Sequence, residues 1–249
     1  MRSIYLPLLF LFCLFSCKNN TLALKEIDGK QLPITDSLTG VNKIDTFVKP
    51  YKEHIDEQMD SIIAYSPRAL TKSDAKYNTA LGNMMADVVM AYANPIFNKR
   101  TKFNIDAVLL NYGGIRSSLP QGNITMREAY NIMPFENQVV VLEISGKKVN
   151  EMFDYLKHGT AHPMHGLHLV INDSGDIEES SINGKPVDPK KTYFIATNDY
   201  LQNGGDHMDF FKKPVSIMDL DYKVRNILID YFTDNDTIAP VRDNRFIKE

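Results

Sequence analysis

The sequence contains few of the residues on which several classes of protein depend. Only two cysteines, Cys13 and Cys17, occur among the 249 residues, and both lie near the N-terminus. A disulfide framework or a thiolate metal site in the body of the chain is therefore excluded. Lysine and arginine number 28 against 31 aspartate and glutamate residues. This balance argues against nucleic acid as a partner, because neutralising many phosphates requires an excess of basic side chains.

Motifs for self-sufficient catalysis are also missing from the sequence. Neither a Gly-x-Ser-x-Gly elbow nor a candidate Ser-His-Asp motif appears. The glycine pair Gly113-Gly114 is not followed by Gly-Lys-Ser/Thr, so it is not a Walker loop. The sequence therefore predicts a domain that binds a ligand and does not cleave it alone.

The N-terminal segment has the pattern of a sorting signal. Ile4 to Phe15 is almost entirely apolar and follows Arg2, whereas no later apolar run approaches the roughly 20 residues of a spanning helix. Leu14 to Cys17 resembles the lipobox of bacterial lipoproteins. We predict a signal peptide over 1–16, acylation of Cys17, a tether over 17–40 and a location outside the cytoplasm. The lipid would anchor the protein to the membrane, at the periplasmic face or the cell surface. The alternative is an ordinary secretory signal with an incidental cysteine.

Residues 41–249 alternate helical and strand patterns, interrupted by a hairpin and long loops. This mixture favours an α+β domain with mixed sheets flanked by helices over a regular parallel sheet. The periodicity predicts helices over 44–59, 81–92, 147–156 and 222–232. The second of these is expected to be capped by Asn78 or Thr79 and to stop at Asn94-Pro95. A capping box at Thr125 predicts a short helix before Met133-Pro134. The predicted strands are 61–65, 105–110, 139–144, 166–171 and 193–197, with a hairpin turn at Asn183-Gly184.

Two loops that follow predicted buried strands carry the polar chemistry. In the first, Asn111 precedes Gly113 and Gly114, which let the backbone approach a ligand, and Arg116 can donate to a phosphate or carboxylate. A tight turn with a surface arginine is the alternative.

The second loop runs from Asn198 to Asp206 and contains Tyr200, Gly204 and Gly205. An aromatic ring can stack on a nucleobase, and the carboxylate of Asp206 can accept hydrogen bonds from both ribose hydroxyls. Here the alternative is that Tyr200 belongs to the core and Asp206 caps a turn.

Taken together, four separated motifs resemble the C-terminal domain of the 5′-nucleotidase and UDP-sugar hydrolase family. They are Leu81-Gly82-Asn83-x-x-Ala86-Asp87, Asn111 to Ser117, Met133-Pro134-Phe135 and Asn198 to Asp206. The resemblance covers roughly residues 60–235. It implies a nucleotide-binding domain in which two aromatic rings enclose the base.

The resemblance also implies roles for individual residues. Phe135 and Tyr200 would be the two rings, Asn111 would bond the base or ribose, Arg116 would reach the phosphate and Asp206 would hold the ribose. Tyr200 stands where the family more often has phenylalanine. Before Leu81 the family usually has an arginine, and here Lys76 is the nearest cation.

Full-length members of that family also carry a metallophosphatase domain with two metals. This sequence lacks its Asp-x-His, Gly-Asn-His-Asp/Glu and Gly-His-x-His stretches, so we expect no cofactor in this chain and divalent metals in a separately encoded metallophosphatase subunit. Four histidines, at 158, 162, 165 and 168, fall close together. Gly159, Pro163 and Gly166 interrupt them, which favours a polar loop over a zinc site.

Two functions remain open at this point. One is the nucleotide- or nucleoside-recognition half of a split 5′-nucleotidase. The other is a lipid-anchored nucleotide- or nucleoside-binding protein without catalysis, and a degenerate domain that binds nothing is a third interpretation.

Overall fold

The computed structural model describes residues 24–35 and 37–249. The predicted signal peptide over 1–16 and Cys17, the predicted site of acylation, lie outside these residues. The chain divides into two units, Met1–Val48 and Lys49–Glu249. In the predicted tether, the described residues from 24 to 40 are exposed. None of the helices in the described part of the chain combines the length and apolar content needed to cross a membrane.

Helices and strands alternate from residue 42 onward, as expected for an α+β domain. The helices are α1 (Asn42–Met59), α2 (Ala80–Thr101), α3 (Met126–Ile132), α4 (Gly146–Leu156), α5 (Asp199–Gln202) and α6 (Val224–Asp234). The strands are β1 (Ile62–Ser66), β2 (Ala107–Leu109), β3 (Gly122–Thr125), β4 (Gln138–Ser145), β5 (Met164–His165), β6 (Leu167–Ile171), β7 (Ile177–Ile182), β8 (Thr192–Asn198), β9 (Ser216–Lys223) and β10 (Phe246–Lys248).

These strands form three sheets. The largest has five strands in the order β5-β2-β8-β4-β9, and the others are β10-β6-β7 and β1-β3. In the large sheet β2 and β8 run parallel, whereas β4 is antiparallel to both β8 and β9. The mixed sheets flanked by helices that the sequence predicts are therefore confirmed.

The central strands of the five-stranded sheet are buried on both faces, which explains their apolar character. Successive side chains point to opposite faces. Val108 and Val141 accordingly pack with α2 and α6 in one core, whereas Leu109 and Leu142 pack with α4 and the three-stranded sheet in the other. With helices on one face and a second sheet on the other, its central strands and the loops at their ends have fixed positions.

Helix α2 begins as predicted but extends further than predicted. Its N-cap is Thr79, whose side chain accepts a hydrogen bond from the Gly82 N–H at 3.0 Å. The predicted stop at Asn94-Pro95 is wrong, because the helix continues through Pro95 to Thr101. A proline inside a helix costs about 3 kcal/mol. Two residues later Phe97 is only 2% exposed, and burying such a side chain recovers about 1.5–3 kcal/mol.

The other boundaries agree with two exceptions. Glu128 accepts the Thr125 N–H at 2.7 Å, as the capping box predicts. Asn183 and Gly184 do form a turn with positive φ, but the main hairpin turn lies earlier, where β6 pairs with β7. The last helix begins at Val224 because the preceding residues extend β9, a strand missing from the prediction.

The end of the chain is fixed to α2 and to the three-stranded sheet. Strand β10 pairs in parallel with β6. The Arg245 guanidinium donates to both oxygens of Asp87, at 2.8 and 3.1 Å, and to the carbonyl of Met164 at 2.6 Å. Asn83, one turn before Asp87, donates to Asp243 at 3.3 Å. The polar residues of the Leu81–Asp87 motif therefore hold the C-terminal segment in place.

Candidate functional site

The two glycine loops of the sequence meet at one edge of the large sheet. Strands β2 and β8 are parallel neighbours, with Ala107 opposite Ile195 and Val108 opposite Ala196. Their carboxyl ends therefore deliver both following loops to the same place, which is where open α/β sheets bind ligands. Asn111 follows β2, and Asn198 ends β8.

Asp206 joins the two loops through its carboxylate. Oδ2 accepts a hydrogen bond from Asn111 Nδ2 at 2.7 Å, and Oδ1 accepts one from the Tyr200 hydroxyl at 2.8 Å. The Tyr155 hydroxyl donates to the main-chain oxygen of Asp206 at 2.9 Å. Asp206 has φ of 52°, a left-handed conformation that only a few residue types adopt readily. Three hydrogen-bond donors on separate elements therefore fix the position of Asp206.

The side chains of Asn111, Tyr200 and Asp206 line a cavity of about 270 Å³. Its walls are formed by Asn111, Gly113, Gly114, Arg116, Phe135, Asn137, Tyr200 and Asp206. All of them except Asn137 are candidate residues from the sequence. Segments that are distant in the chain thus converge on one pocket.

The pocket offers aromatic surface to a ligand. Phe135 and Tyr200 both line the pocket, and they are 39% and 45% exposed, respectively. Tyr200 is therefore not a core residue. Its hydrogen bond to Asp206 raises the pKa of the Tyr200 hydroxyl, because ionisation would place a second negative charge beside the carboxylate.

Three further candidates from the sequence have structural roles beside the pocket. Asn198 is the N-cap of α5 and accepts the Leu201 N–H at 2.9 Å. A methyl group on Gly205 would lie 2.4 Å from the Tyr200 ring, so glycine is needed for that ring to pack where it does. Gly204 has φ of +88° and packs against Lys212. These residues shape the pocket and do not line it.

Two cations lie together at the phosphate side that the sequence predicts. Arg116 donates to the Gly113 carbonyl at 3.3 Å, and its guanidinium lies 5.8 Å from the centre of the Phe135 ring. Lys72 donates to the Ile115 carbonyl at 2.6 Å and lies 4.4 Å from the centre of the Tyr112 ring. Burial, and then the charge of Arg116, lower the pKa of Lys72.

Lys72 is the cation that sequence reasoning missed. Lys76, named there as the nearest cation, instead lines a separate depression with Tyr77 and His158. Lys72 stands nine positions before Leu81 and lacks a motif of its own. The tertiary fold, and not the local sequence, brings Lys72 into contact with Ile115.

Behind the first loop, His162 is a buried hydrogen-bond acceptor. It is 8% exposed, and its Nδ1 accepts the N–H of Tyr112 at 3.1 Å. Burial lowers the pKa of His162 to about 4, and the negative charge of Asp206 opposes this shift only in part. The imidazole is therefore neutral at pH 7 and fixes the start of the Tyr112-Gly113-Gly114 turn.

The four clustered histidines diverge in the structure. His165 pairs with Asp87 at 2.7 Å, His168 lies 3.9 Å from Glu179, and His158 faces the depression that contains Lys76. Within residues 24–35 and 37–249, no three His, Cys, Asp or Glu side chains converge in the manner of a metal site.

Comparison with known proteins places the chain within a family. The family described as 5′-nucleotidase, C-terminal domain matches residues 61–213, more than half of the chain. An apyrase from Tabanus yao is 25% identical over 248 residues, which cover 88% of this chain and 43% of the apyrase. Protein UshA from Escherichia coli (strain K12) is 33% identical over 108 residues, 41% of this chain and 19% of UshA.

Similar architectures occur in solved structures. A 5′-nucleotidase precursor from Thermus thermophilus superposes with a TM-score of 0.68 at 22% identity, covering 82% of this chain and 43% of that protein. The NAD nucleotidase of Haemophilus influenzae gives 0.61 at 18% identity, covering 83% and 41%. The chain thus spans less than half the length of each of these proteins, and at such identities the structures show a shared fold.

Proposed function

This chain belongs to the 5′-nucleotidase C-terminal domain family, and we propose that it is the nucleotide- or nucleoside-recognition part of a 5′-nucleotidase. In this proposal a separately encoded metallophosphatase subunit supplies the divalent metals and hydrolyses the phosphate ester. The observation that carries the proposal is the convergence of Asn111, Arg116, Phe135, Tyr200 and Asp206 on one pocket.

Each wall of the pocket suits one part of a nucleotide. The exposed faces of Phe135 and Tyr200 provide stacking surface for a base, at about 1–3 kcal/mol per base–ring contact. Asn111 offers an amide at the base or ribose, and the Asp206 carboxylate has further lone pairs for ribose hydroxyls. These groups are held in place before a ligand arrives, which lowers the entropic cost of binding.

The phosphate would extend toward Arg116 and Lys72. Both cations are held by main-chain carbonyls. Neither belongs to an ion pair among those found in the described chain. Bringing two like charges together is unfavourable unless an anion neutralises them. A phosphate group bound between them would do so.

The proposal divides the labour between two subunits. The described residues provide the recognition groups, and we assign the metal-holding and water-activating groups to the proposed partner. The proposal also places the protein outside the cytoplasm, anchored through a lipid on Cys17. A relative that is 28% identical over 177 residues, 65% of this chain and 22% of that protein, is named cell wall protein Lmo0130 of Listeria monocytogenes, which supports that location.

The test measures AMP hydrolysis and ligand binding separately. The purified full chain, with Mn²⁺ or Zn²⁺, is expected to bind AMP or adenosine without releasing phosphate. Addition of a metallophosphatase encoded beside it should restore metal-dependent release. Robust turnover by the chain alone would overturn the split arrangement, and binding that no such partner converts to turnover would favour the non-catalytic binding protein. If AMP, adenosine and UDP-glucose all leave the melting temperature unchanged, the recognition role itself fails.

A further inference from the structure

The segment that carries the Phe135 ring is held by residues beyond the matched family region. Three consecutive residues, 135–137, contact three consecutive residues, 223–225, where β9 meets α6. The family match ends at residue 213. Lys223 and Arg225 both form ion pairs with Glu136, and the Val224 N–H donates to the Asn137 carbonyl at 3.0 Å.

Arg225 contacts both Phe135 and Glu136. Its Nη1 donates to the Phe135 carbonyl at 3.4 Å while Nη2 donates to Glu136. The guanidinium also lies 4.3 Å from the centre of the Tyr130 ring on α3. It therefore connects α3, the pocket segment and α6 at a single point.

This arrangement is costly if its purpose is stability alone. Arg225 is only 5% exposed, and no acceptor in the described part of the chain bonds its Nε. Removing a charge from water costs several kcal/mol, and a buried ion pair often stabilises a fold no better than apolar side chains of similar size. Apolar residues would fill the space but would not bond the Phe135 carbonyl and Glu136. A guanidinium fixes the direction of both contacts through its planar donors.

The pocket itself shows why that direction matters. Phe135 and Asn137 line the cavity, whereas Glu136 between them points to solvent with a 62% exposed side chain. The segment follows the end of α3 and precedes β4. Met133 is buried in the core, so without the contacts to 223–225 the connection from 134 to 137 would be fixed only at its two ends, by Met133 and by the sheet from Gln138 onward.

We propose that Arg225, supported by Lys223, is a positioning residue that sets the place of the Phe135 ring in the pocket. The inference rests on the proposed function in that Phe135 is taken as a base-stacking ring. The inference adds residues 223–225, which lie outside the recognition motifs, to those on which the affinity of the pocket for a base depends. Arg225 acts through Phe135 and touches no ligand.

The first arm of the test needs no ligand. Hydrogen exchange of the Val224 amide, which donates to the Asn137 carbonyl, is measured in the wild-type chain, in Glu136→Gln and in Arg225→Met. Glu136→Gln keeps a side-chain oxygen that can accept from Arg225, so this variant is expected to fold while both ion pairs are weakened. Arg100→Met is the matched control, since Arg100 donates to the carbonyls of Asp219 and Leu220 on β9 but not to residues 135–137. Faster exchange of the Val224 amide in the two test variants, but not in Arg100→Met, is expected, and unchanged exchange in both test variants would overturn the proposal.

The second arm measures adenosine affinity in a double-mutant cycle. Arg225→Met is expected to weaken binding about 10-fold in the wild-type background and less than about 2-fold in the Phe135→Ala background, because coupled residues are non-additive. Equal losses in both backgrounds would show that Arg225 acts through general stability and would overturn the proposal. If Arg225→Met does not fold, Glu136→Gln takes its place in the cycle, with an expected loss of about 3-fold. Absence of binding by the wild-type chain refutes the proposed function, and the exchange arm then still decides whether 223–225 positions the segment.

Discussion

Asn111 and Asp206 are joined by a hydrogen bond of 2.7 Å although 95 positions separate them in the chain. The bond crosses from the loop after β2 to the loop after β8. It orients the amide of Asn111, because Nδ2 must face the carboxylate and the amide oxygen must then face elsewhere. The polarity of the pocket is therefore set by contacts within the protein.

Asp206→Asn should weaken adenosine binding while leaving the fold intact. Asparagine tolerates the left-handed φ of this position, but its amide cannot accept from Asn111, Tyr200 and ribose as a carboxylate does. Hydrogen bonds to a charged group contribute about 1.5–3 kcal/mol, so we expect a loss of roughly 10- to 150-fold. Isothermal titration calorimetry provides the measurement. Asp209→Asn is the control, since Asp209 pairs with Lys212, and an equal loss there would contradict a specific role for Asp206.

Two substitutions at Tyr200 separate the ring from its hydroxyl. Tyr200→Ala removes the stacking surface and should cost about 1–3 kcal/mol of binding free energy, or roughly 5- to 150-fold in affinity. Tyr200→Phe keeps the ring and loses only the bond to Asp206, so its affinity should stay within a few fold of wild type. Both are measured by titration with adenosine and with AMP. Equal losses for the two variants would show that the hydroxyl, and not the ring, recognises the ligand.

Acidification should destabilise the protein through His162. The pKa of the folded imidazole is lowered by burial to about 4 from an ordinary 6.5, so between these values the unfolded chain binds a proton that the folded chain does not. The stabilisation is complete above pH 6.5 and is lost as pH falls toward 4, by about 3 kcal/mol in all.

Urea unfolding at several pH values from 4 to 7.5 measures this loss. His162→Gln is the informative variant, because its amide oxygen can still accept the Tyr112 N–H but does not titrate. We expect a flatter dependence of unfolding free energy on pH for this variant. A slope equal to that of wild type between pH 4 and 6.5 would assign the effect to other groups.

Asp87→Asn should lower stability without changing recognition. The Asp87 carboxylate forms ion pairs with both Arg245 and His165. The side chain of Arg245 is only 13% exposed. Asp243 also pairs with Arg245, so the substitution removes one of two carboxylates from a poorly solvated guanidinium, at a cost of about 2 kcal/mol. Chemical unfolding measures that cost. Glu53→Gln, which breaks the exposed Lys49–Glu53 pair, should cost less than about 0.5 kcal/mol. A large loss of adenosine affinity in Asp87→Asn would contradict its assignment as a structural residue.

The recognition loops could be predicted because their signals are local. One apolar strand is followed directly by the loop that contains Asn111, Gly113, Gly114 and Arg116. A second strand is followed directly by the Asn198–Asp206 loop. The parallel pairing of β2 and β8 then brings the loops together. A strand followed by paired glycines is a local pattern, so neighbouring residues suffice to find it.

The supporting residues could not be predicted because their partners lie far away in sequence. Lys72, His162 and Arg225 gain their roles from Ile115, Tyr112 and Glu136, respectively. Strand β9 escaped prediction because it is largely exposed, which weakens its apolar alternation. Helix α2 does not end at Pro95 as predicted, because burial of Phe97 outweighs the tendency of proline to end a helix.

The attachment of β1 to the last part of the chain has a consequence for the order of folding. The Tyr65 N–H donates to the Asp236 carbonyl at 3.0 Å, and the Tyr65 carbonyl accepts from the Ile238 N–H at 2.8 Å. Together with the pairing of β10 and β6, these contacts join segments to others that are synthesised much later. Contacts of such long sequence separation slow folding. On the ribosome the domain therefore completes its core only after residues 236–248 have emerged, and a chain released at residue 213 would leave one edge of β1 and one edge of β6 unpaired.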